Sequence, residues 1–453
     1  MGGVNAPSQP IALPRRPPFT LRARVLTPLD DGGTLHLPDA RVEVGADGRL
    51  AAVAAWTDGP ASSSVHDVRP WVLMPGMVDL HVHLPQVPNA GLGAGMELLD
   101  WLDRYIFPLE HAYSRDVAEA QAPLVFRALA AAGTTTISAY AALWPDSTDA
   151  CFAAAESHGI RAVIGKVMMD RITYDERIAR SDILETSLRQ SAELCERWHG
   201  ADGGRLRYAF TPRFAVSCSE DMLRESARLA AHHGAYWQTH LAEDAGECDT
   251  VQRLFPSSRD YLDVYERAGG LSERAILAHA IHLSGSEVER LAASGAKVAH
   301  CPASNLFLSS GMMPLGRYLA AGVPVALGSD LAAGPELSIF SVMRAAAVTQ
   351  RVLLLLAETD PASGPRPLGP LDWLRLGTLE GARALGMGDL VGSVEAGKEA
   401  DLIVVDASLT APLPGAEDEG GPAEPEELMS RLVFRPHPDM VRGAWVRGKL
   451  LPT

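Results

Sequence analysis

Cysteine is scarce in this chain: five residues in 453, at Cys151, Cys195, Cys218, Cys248 and Cys301. Their odd number, wide spacing and lack of any C-x-x-C pair argue against a disulfide framework and against a cysteine zinc knuckle. A reducing cytoplasm is the natural setting. Long apolar stretches are missing too. No run reaches the roughly 20 residues that a membrane span needs, so no membrane partner is expected. Met1 to Pro18 are rich in Pro and Gly and lack an apolar signal core, which predicts a flexible lead-in. Positive charge is in deficit, with a formal net charge of -16. That balance disfavours nonspecific binding to nucleic acid or anionic lipid and is compatible with a small neutral substrate.

What is present is an ordinary globular composition, 47% hydrophobic and 21% charged, in a chain long enough to bury a large core. Phe19 to Leu26 and Ala40 to Val44 alternate apolar and polar residues, with glycines marking turns between them. The same texture returns at Asp401 to Val405 and Val441 to Leu451. One small β-sandwich-like domain built from both ends, 19–70 plus 390–453, accounts for this, with everything between inserted. Within it, Ser408 to Glu427 holds a Pro/Gly-rich acidic run that predicts a mobile, solvated loop.

The insert, 71–389, alternates β and α signals. Strand-like runs fall at Val72 to Leu80, Thr134 to Ser138, Ala162 to Val167 and Leu206 to Phe210. They continue at Tyr236 to Thr239, Ala275 to Ala278, Ala296 to Ala299 and Val323 to Leu327. Helix-like segments such as Val117 to Ala132, Ser219 to His232 and Ser286 to Ser294 separate them, and Arg171 to His199 reads as extra helix. About eight βα repeats predict an α/β fold, a (β/α)8 barrel of TIM type, with a doubly wound open sheet as the runner-up.

A barrel places its chemistry just past the C-terminal ends of its strands. Strand one ends in MVDLHVHLPQ, where His81 and His83 project to the same side of an extended segment. Strand five ends in QTHLAE, giving His240 and, a helical turn on, Glu243; strand six gives His279 and strand eight Asp330. Singly, each is more often a satisfied buried histidine or a capping aspartate. Together they predict a metal centre, with His81, His83, His240 and Asp330 as ligands. Zinc suits imidazole and carboxylate donors and brings the pKa of a bound water from 15.7 to about 7. One ion per chain is expected: two-metal barrels of the kind this ligand pattern resembles bridge their ions with a lysine at the end of strand four, where this chain has Thr211-Pro212-Arg213. The H-x-E and P-C-x-x-C signature of the other zinc deaminases is absent, which excludes that fold.

The stretches MPGMVDLHVHLPQ, LLDWLDRYIFPLEH, AAGTTTISAY, TPRFAVSCS, THLAED, AHCPASNLFLSSG and LGSD are spread from Met74 to Asp330, and the likeness they carry extends over most of the chain. In them the sequence resembles the guanine deaminases of the amidohydrolase superfamily. W-x-x-x-Y-x-F-P-x-E-H at Trp101 to His111 and T-P-R-F at Thr211 to Phe214 are the more restricted motifs. The resemblance implies zinc on the four ligands above, Glu243 as proton shuttle, and Gln86, Arg213 and Phe214 as purine-binding residues. With His279 and Asp330 completing the catalytic set, it implies hydrolysis of guanine to xanthine and ammonia, and a homodimer is the expected assembly. Another amino-heterocycle, a pterin or triazine, is the alternative substrate. A scaffold that has lost catalysis is disfavoured because every ligand is retained. Trp101, Tyr105 and Phe107 are read first as core packing, His300 as structural, and Lys166 has no clear role. After Asp330 the sequence departs from the family, and Pro335 and Glu336 are expected to reshape one rim of the pocket.

Overall fold

A computed structural model of the protein describes residues 11–58, 64–173, 177–356, 367–413 and 420–453. Eight strands follow one another around a single parallel sheet: Met77–His83, Thr134–Tyr140, Arg161–Gly165, Leu206–Pro212, Tyr236–Leu241, Ala275–His279, Lys297–His300 and Val325–Leu327. They are almost wholly buried, as strands covered on both faces must be. The ring closes where the Asp330 N–H donates to the His81 carbonyl at 2.8 Å and the His83 N–H to the Leu331 carbonyl at 3.1 Å. Sequential order with meeting ends excludes the doubly wound sheet, whose order reverses at a switch point. Helices return the chain between strands. Arg115–Ala131, Glu220–His233 and Gly285–Ser294 each start at a serine whose hydroxyl accepts from the first turn, at Ser114, Ser219 and Ser284.

The ends of the chain meet in a second sheet of seven strands, ordered Lys449–Leu450, Val441–Val446, Leu402–Val405, Val65–Pro75, Phe19–Pro28, Thr34–Val44 and Leu50–Ala55. Three inter-strand steps of about 4.8 Å would set Phe19 and Trp445 about 14 Å apart in a flat sheet. Their ring centroids are 6.4 Å apart, so the sheet curls over its inner face. Leu21, Val25, Val42, Leu73, Leu402 and Val404 form a core there, separate from that of the barrel.

Several expectations are corrected by this arrangement. The apolar run Val72 to Leu80 is two strands, one in each sheet, broken at Gly76. The hand-over between sheets therefore falls at Gly76, where a Cβ would lie 2.0 Å from the Thr135 hydroxyl, and not at 70/71. Of the expected flexible lead-in, residues 1–10 lie outside the described residues, but 11–18 pack down: the Trp445 indole donates to the Pro14 carbonyl and Ile11 and Leu13 join the small core. Of the expected mobile loop 408–427, residues 414–419 are outside the described residues. Gly420, Pro422 and Ala423 are held by the Arg24 guanidinium. Helix Pro425–Phe434 buries Leu428, Met429, Leu432 and Val433 in the barrel's core, not in the small domain to which the sequence pattern assigned it.

One described helix, Ile339–Leu356, is long and apolar enough to cross a membrane by length and composition. It carries Arg344 and Arg351 and buries Ile339, Phe340, Val342, Met343 and Ala346 in the barrel's outer layer.

Candidate active site

Extended backbone places His81 and His83 on the same side of strand one, and ring closure brings strand eight against them. The Asp330 Oδ1 lies 3.1 Å from His81 Nε2 and 3.3 Å from His83 Nε2. His83 Nε2 is 3.2 Å from both His81 Nε2 and His240 Nε2. His240 Nδ1 donates to the Arg213 carbonyl at 2.6 Å, so its Nε2 turns a lone pair toward the other rings. Tyr140 packs under all three, with ring centroids 4.6 to 4.9 Å away. His279 and Asp330 hold positive φ values of 72° and 49°, a conformation that costs a non-glycine residue about 1–3 kcal/mol and clusters at functional sites.

Burial dominates the electrostatics. It lowers the pKa of His81, carries His83 down to about 4 and drives His240 well below its ordinary value, which favours the neutral form that a metal ligand needs. Burial also raises Glu243 well above the usual carboxyl range, assisted by the charge of Asp330. For Asp330 burial acts against the anion, and the facing His81 and His83 outweigh it and hold the carboxylate low. Glu243 Oε1 and His279 Nε2 are buried without a hydrogen-bond partner. His279 Nε2 faces Glu243 Oε2 at 3.4 Å and Asp330 Oδ2 at 3.7 Å. Lone pairs and carboxylate oxygens converging this closely are a donor set for a cation.

A small cavity, partly open to solvent, leads to this cluster. His83, His240, Glu243 and Asp330 line it together with Gln86, Arg213, Phe214 and Trp101. All nine residues singled out from the sequence therefore gather at one barrel mouth. Phe107 lies beneath the Arg213 guanidinium, 5.5 Å from it. Trp101 is a pocket wall and not packing alone, while Tyr105 packs against the barrel core.

Supporting groups escaped the sequence reading although their segments were in view. Ser304 donates to Asp330 Oδ2 at 2.6 Å, and Asn305 Oδ1 lies 2.9 Å from His279 Nδ1. Both begin the helix after strand seven, the position from which a barrel supplies its rim. Glu247 accepts from the Glu243 N–H at 2.8 Å and from Tyr261 at 2.6 Å, bracing the Glu243 turn. Glu110, wholly buried, touches both Gln86 and Arg213. Asp79 reaches from strand one to Ser329, just past the neighbouring strand eight, and burial pushes its carboxyl up to about 7. Glu336 does not reshape the pocket rim: it faces Arg344 at 3.5 Å over a separate cleft and does not line the cavity, which Ala333 does. Lys166 is buried against Ser187.

The model of the amidohydrolase family matches residues 72–451. A Deinococcus radiodurans protein named "Probable guanine deaminase" is 39% identical over 427 residues, 90% of this chain and 92% of its own. The guanine deaminase of Escherichia coli is 36% identical over 369 residues, 80% of each chain. Among solved structures, the guanine deaminase of C. acetobutylicum with guanine bound in its active site superposes with a TM-score of 0.86. The two chains are 29% identical, and the match covers 96% of this chain and 99% of that one.

Proposed function

Because the chain belongs to the amidohydrolase family, we propose that it hydrolyses guanine to xanthine and ammonia. One observation carries the reading: a single cavity is lined both by metal-compatible donors and a carboxyl of raised pKa and by Gln86, Arg213 and Phe214. The similarity to guanine deaminases over four-fifths or more of the chain supports it.

The donor set fits one zinc ion. Three neutral imidazoles crowd their Nε2 atoms together with a carboxylate oxygen, and the only proton His240 carries is committed at Nδ1 to a carbonyl. A hydrogen bond at the second nitrogen of a ligating histidine is how proteins fix its tautomer. His81, His83, His240 and Asp330 would hold the ion. When bound, zinc supplies Lewis-acid activation of water, bringing its pKa from 15.7 to about 7.

The protein's own groups do the rest. Phe214 offers a stacking face to the purine, and Arg213, which carries only donors, binds the ring carbonyl. Glu243 Oε1 takes one proton from the attacking water and passes it to the ring nitrogen beside the amino-bearing carbon. The same carboxyl then carries the second water proton to the departing amine, which leaves as ammonia while the water oxygen stays on carbon. A raised pKa suits a group that must both take and give protons near neutrality. His279 Nε2 and Asp330 face the same point as Glu243 and orient the water.

Adenine presents an amino group where Arg213 requires an acceptor. Sites built on such a hydrogen bond reject the mismatched analogue by about 10⁴–10⁵-fold. Zinc-loaded protein given guanine, adenine, a pterin and an aminotriazine should therefore release ammonia from guanine in strong preference. Comparable rates on guanine and adenine would defeat the reading. A homodimer in a reducing cytoplasm completes it. All five thiols are free, and four are buried; equilibrium sedimentation tests the assembly.

A further inference from the structure

Gln86 follows strand one and Arg213 follows strand four, yet one side chain ties them together from behind. Glu110 accepts from Gln86 Nε2 at Oε1, 2.8 Å, and from Arg213 Nη1 at Oε2, 2.6 Å. It is fully buried and does not line the cavity. The segment carrying it reaches this place through a widened π-type turn, Leu102–Ile106, set between Leu98–Trp101 and Phe107–His111. Such turns re-aim side chains and recur at functional sites.

We propose that Glu110 is the positioning residue that sets the hydrogen-bonding polarity of the substrate wall, selecting heterocycles with a ring carbonyl beside a ring N–H. This rests on the reading of guanine as substrate and deepens it. A carboxylate can only accept, so it draws the amide nitrogen of Gln86 toward itself and turns the amide oxygen away. Gln86 Oε1 has no partner among the described residues, and Gln86 lines the cavity. Arg213, anchored by the same carboxylate, contributes donors only. The wall thus sets an acceptor near a donor, the complement of a lactam edge: the carbonyl faces Arg213 and the neighbouring N–H faces Gln86. With an amide at position 110 the constraint is lost, because Gln86 could then present either end of its own amide.

The test compares ligand preference, which a merely structural role would not move. Zinc-loaded wild type, Glu110→Gln and the swap Gln86→Glu/Glu110→Gln are titrated calorimetrically with hypoxanthine, which has the lactam edge but no amino group to lose, and with purine, which lacks that edge. Zinc content and thermal midpoint are recorded for each. Glu110→Gln should lower the preference for hypoxanthine over purine by about tenfold, the worth of one hydrogen bond, and raise KM for guanine more than it lowers kcat. The swap restores an acceptor-only group at the cavity wall and keeps one carboxylate near Arg213, so it should recover most of the preference. A zinc-replete Glu110→Gln with wild-type preference overturns the proposal. If Glu110→Gln does not fold, the swap decides: preference kept supports the proposal and preference lost overturns it. Guanine turnover by the wild type is read separately. If the wild type shows a Glu110-dependent preference without turnover, the enzymatic reading falls and the positioning role stands.

Discussion

His83, at the end of the first barrel strand, and Arg161, at the start of the third, are both buried, ionisable and surrounded by ionisable neighbours. Around Arg161 the charges close on one another. Its Nε donates to Asp401 at 2.9 Å and its Nη2 to Glu399 at 2.6 Å; Arg447 adds a donor to each carboxylate. Burial works against the guanidinium, and Asp401 and Glu399 outweigh it and raise its pKa. Around His83 they do not close. Its Nδ1, the Glu243 Oε1 and the His279 Nε2 lack partners, and ring nitrogens face each other at 3.2 Å. The first cluster fastens the N-terminal end of the barrel to the small sheet: both carboxylates are held by Arg161 and Arg447, and only Arg161 Nη1 is left without a hydrogen-bond partner among the described residues. The second, at the C-terminal end, is incomplete without a ligand. Burial alone does not separate a structural site from a functional one; several unmet groups of different residues gathered at one place do.

That contrast can be broken most decisively at the histidines. Changing both His81 and His83 to alanine should remove stoichiometric zinc and abolish deamination while leaving the far-UV circular dichroism near that of wild type. Metal analysis showing full zinc in the double variant would sink the ligand assignment. Glu243→Gln should keep zinc and bind guanine, yet lose at least about 10²–10⁴-fold in turnover, since one carboxyl serves two proton transfers. Near-normal steady-state rates would mean that the orphaned Oε1 has no chemical role.

At the other end the loss should be of stability and not of chemistry. Arg161→Met leaves two buried carboxylates short of a partner and should cost about 3–5 kcal/mol in urea unfolding. Turnover per folded molecule should be unchanged, and a parallel fall in turnover would show that the two ends are coupled.

The smallest effect is one of pH. Burial opposes the Glu399 carboxylate, but Arg161 and Arg447 hold its pKa below the ordinary 4.5. A lowered folded pKa means that fewer protons are bound folded than unfolded, so its contribution is full above 4.5 and is lost as pH falls through the folded value. Urea midpoints should therefore decline less on acidification below 4.5 in Glu399→Gln than in wild type; equal slopes would remove Glu399 from the linkage.

Much of this is legible in the sequence alone. Each barrel strand is a short apolar run, and each metal-compatible side chain falls at or just past its end, so strand position alone ranked His240 and Asp330 above other polar residues. The run Val72 to Leu80 was legible as β but not as two strands. Apolarity is continuous across it, and what breaks it is the approach of Thr135 to Gly76. The helix Pro425–Phe434 escaped because an acidic, proline-rich approach masks its apolar face, which becomes visible only once Leu428 and Leu432 meet the barrel.

Alternation along a strand, the spacing of βα repeats and the placing of histidines and carboxylates at strand ends are properties of neighbouring residues, so the sequence by itself determined the barrel and pointed to the residues proposed as metal ligands and as the acid/base carboxyl. Glu110 belongs to the other kind. It lies 24 residues from Gln86 and 103 from Arg213, and nothing in its own segment marks it among the residues of the Trp101 to His111 motif. Its role arises only when ring closure brings strands one and four beside that helix. A buried carboxylate between an amide and a guanidinium is a long-range contact, and local patterning carries no record of which distant groups will meet in a low-dielectric interior.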